Sequence, residues 1–223
     1  MRKIFTLIAM AAFAVTVSAQ KIEFTQAYAK LNVPGTFEKD GFVLTVTDTD
    51  TSGKISVDEN TAYFGTADSY VSFGFRLKTG GKSSSSKNAL SLTLPQDGTI
   101  KIYARTGSNS ATDRNVILTQ KETSAELLNK VLLESEAVET VIDGDVKKVY
   151  PVLSASAKAG VVDITYPVNS INFYCFELVT SAGVTQILTP EVEGETYNLS
   201  GVKVADDTKG IVIKNGKKVV NGK

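Results

Sequence analysis

Two stretches of this chain alternate so strictly between apolar and polar residues that β-structure is almost forced on them. In Val71-Ser72-Phe73-Gly74-Phe75-Arg76-Leu77-Lys78 the apolar residues take every second place, and Thr99-Ile100-Lys101-Ile102-Tyr103-Ala104-Arg105 repeats the pattern. Side chains on a strand point to opposite faces in turn, so a period of two marks a half-buried strand. Further runs of strand length read at residues 42–47, 89–94, 116–119, 149–154, 161–166 and 171–178, separated by Gly, Asp and Ser clusters. Pro95-Gln96-Asp97-Gly98 reads as a turn in which Asp-Gly supplies positive φ, and Asp143-Gly144 as a hairpin turn between 138–142 and 146–149. One segment has a helical look. Thr123 and Glu126 match a capping box ahead of Leu127, Leu128, Val131 and Leu132, although Val131-Leu132-Leu133 also reads as strand. Many short strands with almost no helix predict an all-β chain: an antiparallel two-sheet β-sandwich, jelly-roll-like, with a short β-hairpin C-terminal tail. Ser83-Ser84-Ser85-Ser86 is expected to be a loop inside that sandwich.

The N-terminus carries an address. Arg2 and Lys3 precede an apolar run from Ile4 to Val17, and Val17-Ser18-Ala19 offers the small residues a signal peptidase requires. Residues 1–19 therefore read as a signal peptide cleaved after Ala19, which places the mature chain outside the cell, at its surface or in a periplasm. The apolar run is short for a bilayer, so no membrane span is expected in the mature chain. Residues 20–180 read as the sandwich and 181–223 as the tail.

Composition narrows the chemistry. The 223 residues hold 24 basic and 24 acidic side chains, no His, no Trp and one Cys. Zero net charge argues against a nucleic-acid partner, whose phosphates would need neutralising. Without His the usual Ser triad and the commonest metal ligand are absent, and one Cys cannot form an internal disulfide. Cys175 lies in an apolar and aromatic run, and reads as a small buried hydrophobe.

Two stretches carry a resemblance. Ala159-Gly160-Val161-Val162-Asp163-Ile164-Thr165-Tyr166 with Ile171-Asn172-Phe173-Tyr174-Cys175-Phe176-Glu177-Leu178 is similar to the closing strands of galactose-binding-like jelly rolls. Residues 75–82 and 105–114 resemble a β-sandwich module of secreted polysaccharide-degrading Bacteroidota proteins, pectate-lyase-like ones included. In the tail, Thr196-Tyr197-Asn198-Leu199-Ser200-Gly201 and Lys209-Gly210-Ile211-Val212-Ile213-Lys214-Asn215-Gly216-Lys217-Lys218 resemble the ending of the C-terminal sorting domains of such proteins. Bottom-up, the tail reads as hairpins turning at Ser200-Gly201 and Asn215-Gly216. The resemblance implies a carbohydrate-associated module that is not catalytic on its own. The chain departs from common sugar binders in having no Trp.

Candidate sites follow from side-chain chemistry. Arg76, Lys78, Lys101, Tyr103 and Arg105 share the polar parity of the two alternating strands. If those strands are neighbours, they form a basic and aromatic surface suited to an acidic sugar, Arg forking onto a carboxylate and Tyr stacking on a ring; an ordinary solvated face is the plainer reading. Arg114, in the Gly/Ser/Asn-rich loop with Asp113, joins that end or pairs with its neighbour. Asp48, Asp50, Ser52 and Glu59 have the spacing of an EF-hand calcium loop, with Gly53 at the turn, but the flanks are β-rich and offer no exiting helix. A polar turn is the reading preferred, so no cofactor is expected, with calcium the alternative for that loop. Gly80-Gly81-Lys82-Ser83 lacks the first Gly of a phosphate loop, and the acidic clusters Glu191/Glu193/Glu195 and Asp206-Asp207 offer nothing to split their pKa values. No catalytic residue is assigned.

The sequence therefore predicts a secreted, non-catalytic carbohydrate-binding or surface-interaction module, directed at an acidic plant-type polysaccharide or another cell-surface component. The alternatives are an adhesin-type structural protein and a small polysaccharide lyase.

Overall fold

The structure, a computed structural model, describes residues 17–29, 34–49, 55–181, 196–205, 208–214 and 217–221. Residues 4–16 of the N-terminal apolar run, Asp50, Ser52, both acidic clusters and the Asn215-Gly216 turn lie outside the described residues.

By its contacts the chain falls into two compact units, Met1–Ala182 and Gly183–Lys223. The first holds strands β1 (Val17–Glu23), β2 (Gly35–Lys39), β3 (Phe42–Thr47), β4 (Ser56–Thr66), β5 (Ser69–Lys78), β6 (Ala89–Leu94) and β7 (Gly98–Thr106). It continues with β8 (Asn115–Gln120), β9 (Ala125–Val131), β10 (Val138–Ile142), β11 (Asp145–Tyr150), β12 (Leu153–Ala157), β13 (Gly160–Thr165) and β14 (Ile171–Ser181). Among the described residues helix is confined here to α1 (Gln26–Ala29) and a 3-10 turn at Glu134–Glu136.

These strands form an all-β sandwich. One sheet has eight strands in the order β10-β11-β4-β5-β14-β7-β12, with β1 also paired to β14. The other has six, in the order β2-β3-β6-β13-β8-β9. All pairings in both sheets are antiparallel except β11 beside β4, where Val149 lies opposite Tyr63 and Tyr150 opposite Phe64. Between the sheets lie Leu44, Leu92, Val116, Leu118 and Val162 from one side and Leu77, Ile100, Ile102, Phe176 and Leu178 from the other, all with no exposure, whereas Val71 of the first alternating strand is exposed and Phe73 lies outside this core. Each such side chain contributes about 1.5–3 kcal/mol on burial.

Several sequence expectations are corrected. Residues 123–132 form no helix: β9 pairs with β8, Asn115 opposite Val131, and sheet pairing overrides the capping-box pattern. The run 149–154 is two strands broken after Pro151, which lie towards opposite edges of the large sheet. The Pro95–Gly98 segment joins strands of different sheets, and Gly98 is not at positive φ. Its glycine answers a packing need, since a Cβ there would sit 2.8 Å from both Leu178 Cδ1 and the Val179 carbonyl oxygen. The Asp143-Gly144 hairpin forms as expected, at φ 52° and 86°.

The large sheet is packed on both faces. Phe64, Phe73, Tyr103, Tyr150, Tyr174 and Cys175 form a second cluster, separate from the main core. A bulge in β14 makes this feasible: Phe173 faces Ala104 and Cys175 faces Tyr103, so Tyr174 is the extra residue. Phe173 and Phe176 therefore stay in the main core while Tyr174 and Cys175 enter the second one. This explains the unbroken burial from Ile171 to Phe176. Burial also pushes the Cys175 thiol well above its ordinary range, and it is fully covered.

Strand β1 runs through the expected cleavage point, with Ala19 opposite Val179 and Gln20 opposite Leu178. Cleavage after Ala19 leaves Gln20–Glu23 in the pairing.

The second unit is a four-stranded antiparallel sheet of β15 (Thr196–Asn198), β16 (Lys203–Val204), β17 (Gly210–Lys214) and β18 (Lys217–Asn221), in the order β16-β15-β17-β18. Gly201, at φ 75°, makes the turn between β15 and β16. Because the sandwich core draws on none of these strands, deletion of residues 183–223 is expected to leave a single cooperative melting transition for the first unit. Loss of that transition in calorimetry would show that the tail belongs to the core.

Candidate functional site

The five residues singled out from the sequence do not converge. Strand β14 lies between β5 and β7, which separates Arg76 and Lys78 from Tyr103 and Arg105. Arg76 forks onto Asp58 across β4, its Nε 2.7 Å from Oδ1 and its Nη2 3.3 Å from Oδ2. The Arg114 guanidinium donates to the Ser170 carbonyl at 2.8 Å and to its hydroxyl, so it pins a loop and does not pair with Asp113. Lys78 is exposed.

Tyr103 and Arg105 are buried chemistry. Tyr103, only 7% exposed, donates its hydroxyl to Glu177 at 2.5 Å. Desolvation, then the Glu177 carboxylate, pushes its pKa far above the ordinary tyrosine range. Arg105 donates from Nε to the Tyr174 hydroxyl and from Nη1 to the Tyr150 hydroxyl, both at 3.1 Å, and from Nη2 to Asn60 at 3.5 Å. The Tyr150 hydroxyl donates a hydrogen bond to Glu134 at 2.8 Å, and Tyr174 donates to Asn60. Burial lifts the Tyr150 pKa to about 12, with Glu134 adding to the shift. Burial by itself would lower the Arg105 pKa, and the tyrosine oxygens around it hold it above its ordinary value. Tyr103 and Arg105 therefore belong to a polar frame beside the second cluster, where three Arg105 nitrogens meet acceptors.

An open groove of about 690 Å³ lies at one end of the sandwich. The segment entering β7, the segment between β8 and β9, and the β12–β13 turn converge on it, bringing Asp97, Gln120, Glu122, Ala125, Leu127 and Lys158 to its walls. Its rim is fixed by short-range bonding. Asp97 accepts from the Ala159 amide at 2.9 Å and from Lys158 Nζ at 2.8 Å. Glu122 accepts from the Val161 amide and from Gln120 Nε2, each at 3.0 Å, while Gln120 Oε1 accepts from the Lys158 amide at 3.1 Å. Gly160, at φ 118°, lets the turn come this close, since a Cβ there would stand 2.8 Å from Glu122 Oε1. Leu127, Ala157 and Val179 add apolar surface.

These bonds hold both carboxylates ionised. The Lys158 and Ala159 donors lower Asp97 from its ordinary 3.8, and the Val161 amide followed by Gln120 lowers Glu122 from 4.5. A depressed folded-state pKa contributes stability that is complete above the ordinary value and lost as pH falls through the folded-state value. Acid unfolding of the wild type is thus expected to steepen below about pH 4, and the Asp97→Asn/Glu122→Gln double variant should show a shallower fall of Tm with acid. Parallel Tm–pH profiles for the two proteins would refute this.

For the EF-hand-like spacing, Asp48 and Glu59 are described, and Glu59 lies in β4 opposite Phe75. Among the described residues no three acidic or thiol side chains gather in a way that could hold a metal ion. No helix among the described residues is long and apolar enough to cross a membrane. Sequence reading missed the end groove because its lining groups come from three separate turns. The Gln120, Glu122 and Gly160 combination carries no periodicity to betray it.

No family model matches the chain, and no curated protein sequence matches it. Among solved structures, the chain is similar to one described with glycan recognition in the Ruminococcus flavefaciens cellulosome, with a TM-score of 0.38 and 10% identity, covering 75% of this chain and 97% of that one. It is also similar to a cleaved adhesin domain of Lys-gingipain from Porphyromonas gingivalis, with a TM-score of 0.41 and 10% identity, covering 74% of this chain and 99% of that domain.

Proposed function

We propose that the chain is an exported, non-catalytic binding module whose end groove holds a glycan of a polysaccharide or cell surface. The observation that carries this reading is the groove itself: a wide, open depression with a pre-fixed polar rim and an apolar wall. Carboxylates and amides already locked by backbone donors keep further acceptor positions for sugar hydroxyls, and they lose little entropy when a ligand arrives. Leu127 and Val179 offer the apolar surface that a sugar ring presents its C–H face to.

The same bonding argues for binding over hydrolysis. Glycoside cleavage needs one carboxyl kept protonated by a raised pKa beside one that is ionised, and both Asp97 and Glu122 are shifted the other way. The lyase alternative needs a base, and Tyr103 is held protonated against Glu177. An acidic-sugar specificity built on Arg76, Tyr103, Arg105 and Arg114 loses its basis, because those groups are committed to Asp58, Glu177, the tyrosines and Ser170.

The test is a blocking substitution. Ala125 is exposed and lines the groove. Ala125→Arg is expected to reduce binding in a glycan-array and calorimetric comparison at least tenfold, with stability unchanged to within about 0.5 kcal/mol. Wild-type protein that binds no glycan on neutral and acidic arrays would overturn the reading.

A further inference from the structure

The outer face of the six-stranded sheet carries a second groove, of about 600 Å³, between the serine loop and the strands, walled by Ser83, Ser84, Ser85, Lys121, Asp163 and Thr165. The strand registers place Asp163, on its wall, in a polar row of the sheet. Thr45 pairs with Ser91, Ser91 with Asp163, and Asp163 with Thr119, so a row of hydroxyls crosses the sheet with one carboxylate at its middle.

Asp163 is the anomaly in that row. Asp is a poor strand former, yet it stands on β13, which is hydrogen-bonded to β6 on one side and β8 on the other. Where carboxylates are elsewhere drawn into the framework they are matched: Asp58 to Arg76, Glu177 to Tyr103, Asp97 to Lys158, Glu122 to Val161. Asp163 is half-buried, and its carboxylate takes part in no hydrogen bond or ion pair among the described residues. Lys121, exposed on the same wall, likewise forms no ion pair among them. The Asp163 carboxylate therefore keeps its acceptor positions open on the groove wall.

We infer that the Asp163 groove is a second glycan-binding site, for a neutral saccharide with a vicinal diol. A carboxylate accepts two adjacent hydroxyls at once, Lys121 donates to an ether or hydroxyl oxygen, and the Ser and Thr hydroxyls serve as donor or acceptor as the sugar requires. One positive and one negative group leave the groove without net charge, which fits a neutral ligand. The inference rests on the reading of the chain as a binding module and adds a second contact, so that a single copy grips two stretches of polysaccharide and gains avidity.

The experiment is calorimetric titration of the full chain with cellohexaose, xylohexaose and mannohexaose, using wild type, Asp163→Asn, Ala125→Arg and the double variant. The expected result, for a hexaose that binds, is two sites per wild-type chain, one in each single variant and none in the double. Asp163→Asn should cost the face site about tenfold to a hundredfold in affinity, the loss of a charged acceptor. Thr165→Arg, which fills the groove from an exposed position, serves in its place if Asp163→Asn melts early. One site in wild type that Ala125→Arg removes and Asp163→Asn leaves untouched would overturn the second site while keeping the module reading. Binding of acidic oligosaccharides alone would overturn the neutral-sugar assignment. No binding by any glycan would overturn both.

Discussion

Phe64→Ala is expected to lower the unfolding free energy by about 3–5 kcal/mol, the cost of emptying an aromatic site in a packed interior. The ring is 1% exposed and lies within 5.1–5.9 Å, centroid to centroid, of Phe73, Tyr103, Tyr150 and Tyr174. Four rings close around it, and none can move into the space without breaking its own contacts, because Tyr103, Tyr150 and Tyr174 are tied by their hydroxyls. The second cluster is thus as demanding as the main core, although it lies on the face a sandwich normally gives to solvent. Denaturant titration would show a lower midpoint with an unchanged slope. A loss below 1 kcal/mol would mean that this face behaves as ordinary surface.

Arg105→Ala should be the most damaging substitution of a charged residue, about 2–3 kcal/mol, because three polar partners lose a donor at once. Tyr174, Tyr150 and Asn60 would be left to find water in a half-closed space. An arginine on a solvated face would cost no more than about 0.5 kcal/mol. Arg105→Lys should recover only part of the loss, since an ammonium is a point charge and cannot reproduce the planar fork and its stacking 5.4 Å from the Tyr150 ring centroid. Thermal melts of both variants decide the matter.

Periodicity revealed most of the strands and little of their partnership. The alternation in residues 71–78 and 99–105 correctly announced β5 and β7, and Asp143-Gly144 announced its hairpin. The same alternation suggested that Arg76 and Arg105 share a patch, but strand order is a property of the whole chain, and β14 lies between them. The bulge at Tyr174 was invisible because an extra residue leaves no mark in an already continuous apolar run. Strand β4 was obscured by the polar run Asp58-Glu59-Asn60, in which Asp58 meets Arg76 and Asn60 meets Arg105 and Tyr174. Asp40-Gly41, with φ 53° and 81°, was a legible hairpin signal that joins β2 to β3 and went unread. Of the groove residues, Asp163 alone carried a clue: a poor strand former within a strong strand.

The partnership of β1 with β14 has a consequence in time. Glu23 meets Cys175 and Val17 meets Ser181, so the first strand of the chain waits for the fourteenth before its edge is covered. Contacts this distant in sequence carry a large closure entropy and form late, which places the chain among the slow folders. Until Ile171–Ser181 arrives, β7 lacks one of its two neighbours as well, and the large sheet cannot exist. A growing chain therefore stays loose almost to its end. That delay is a hazard, because the open strands are templates for aggregation until the last of them docks.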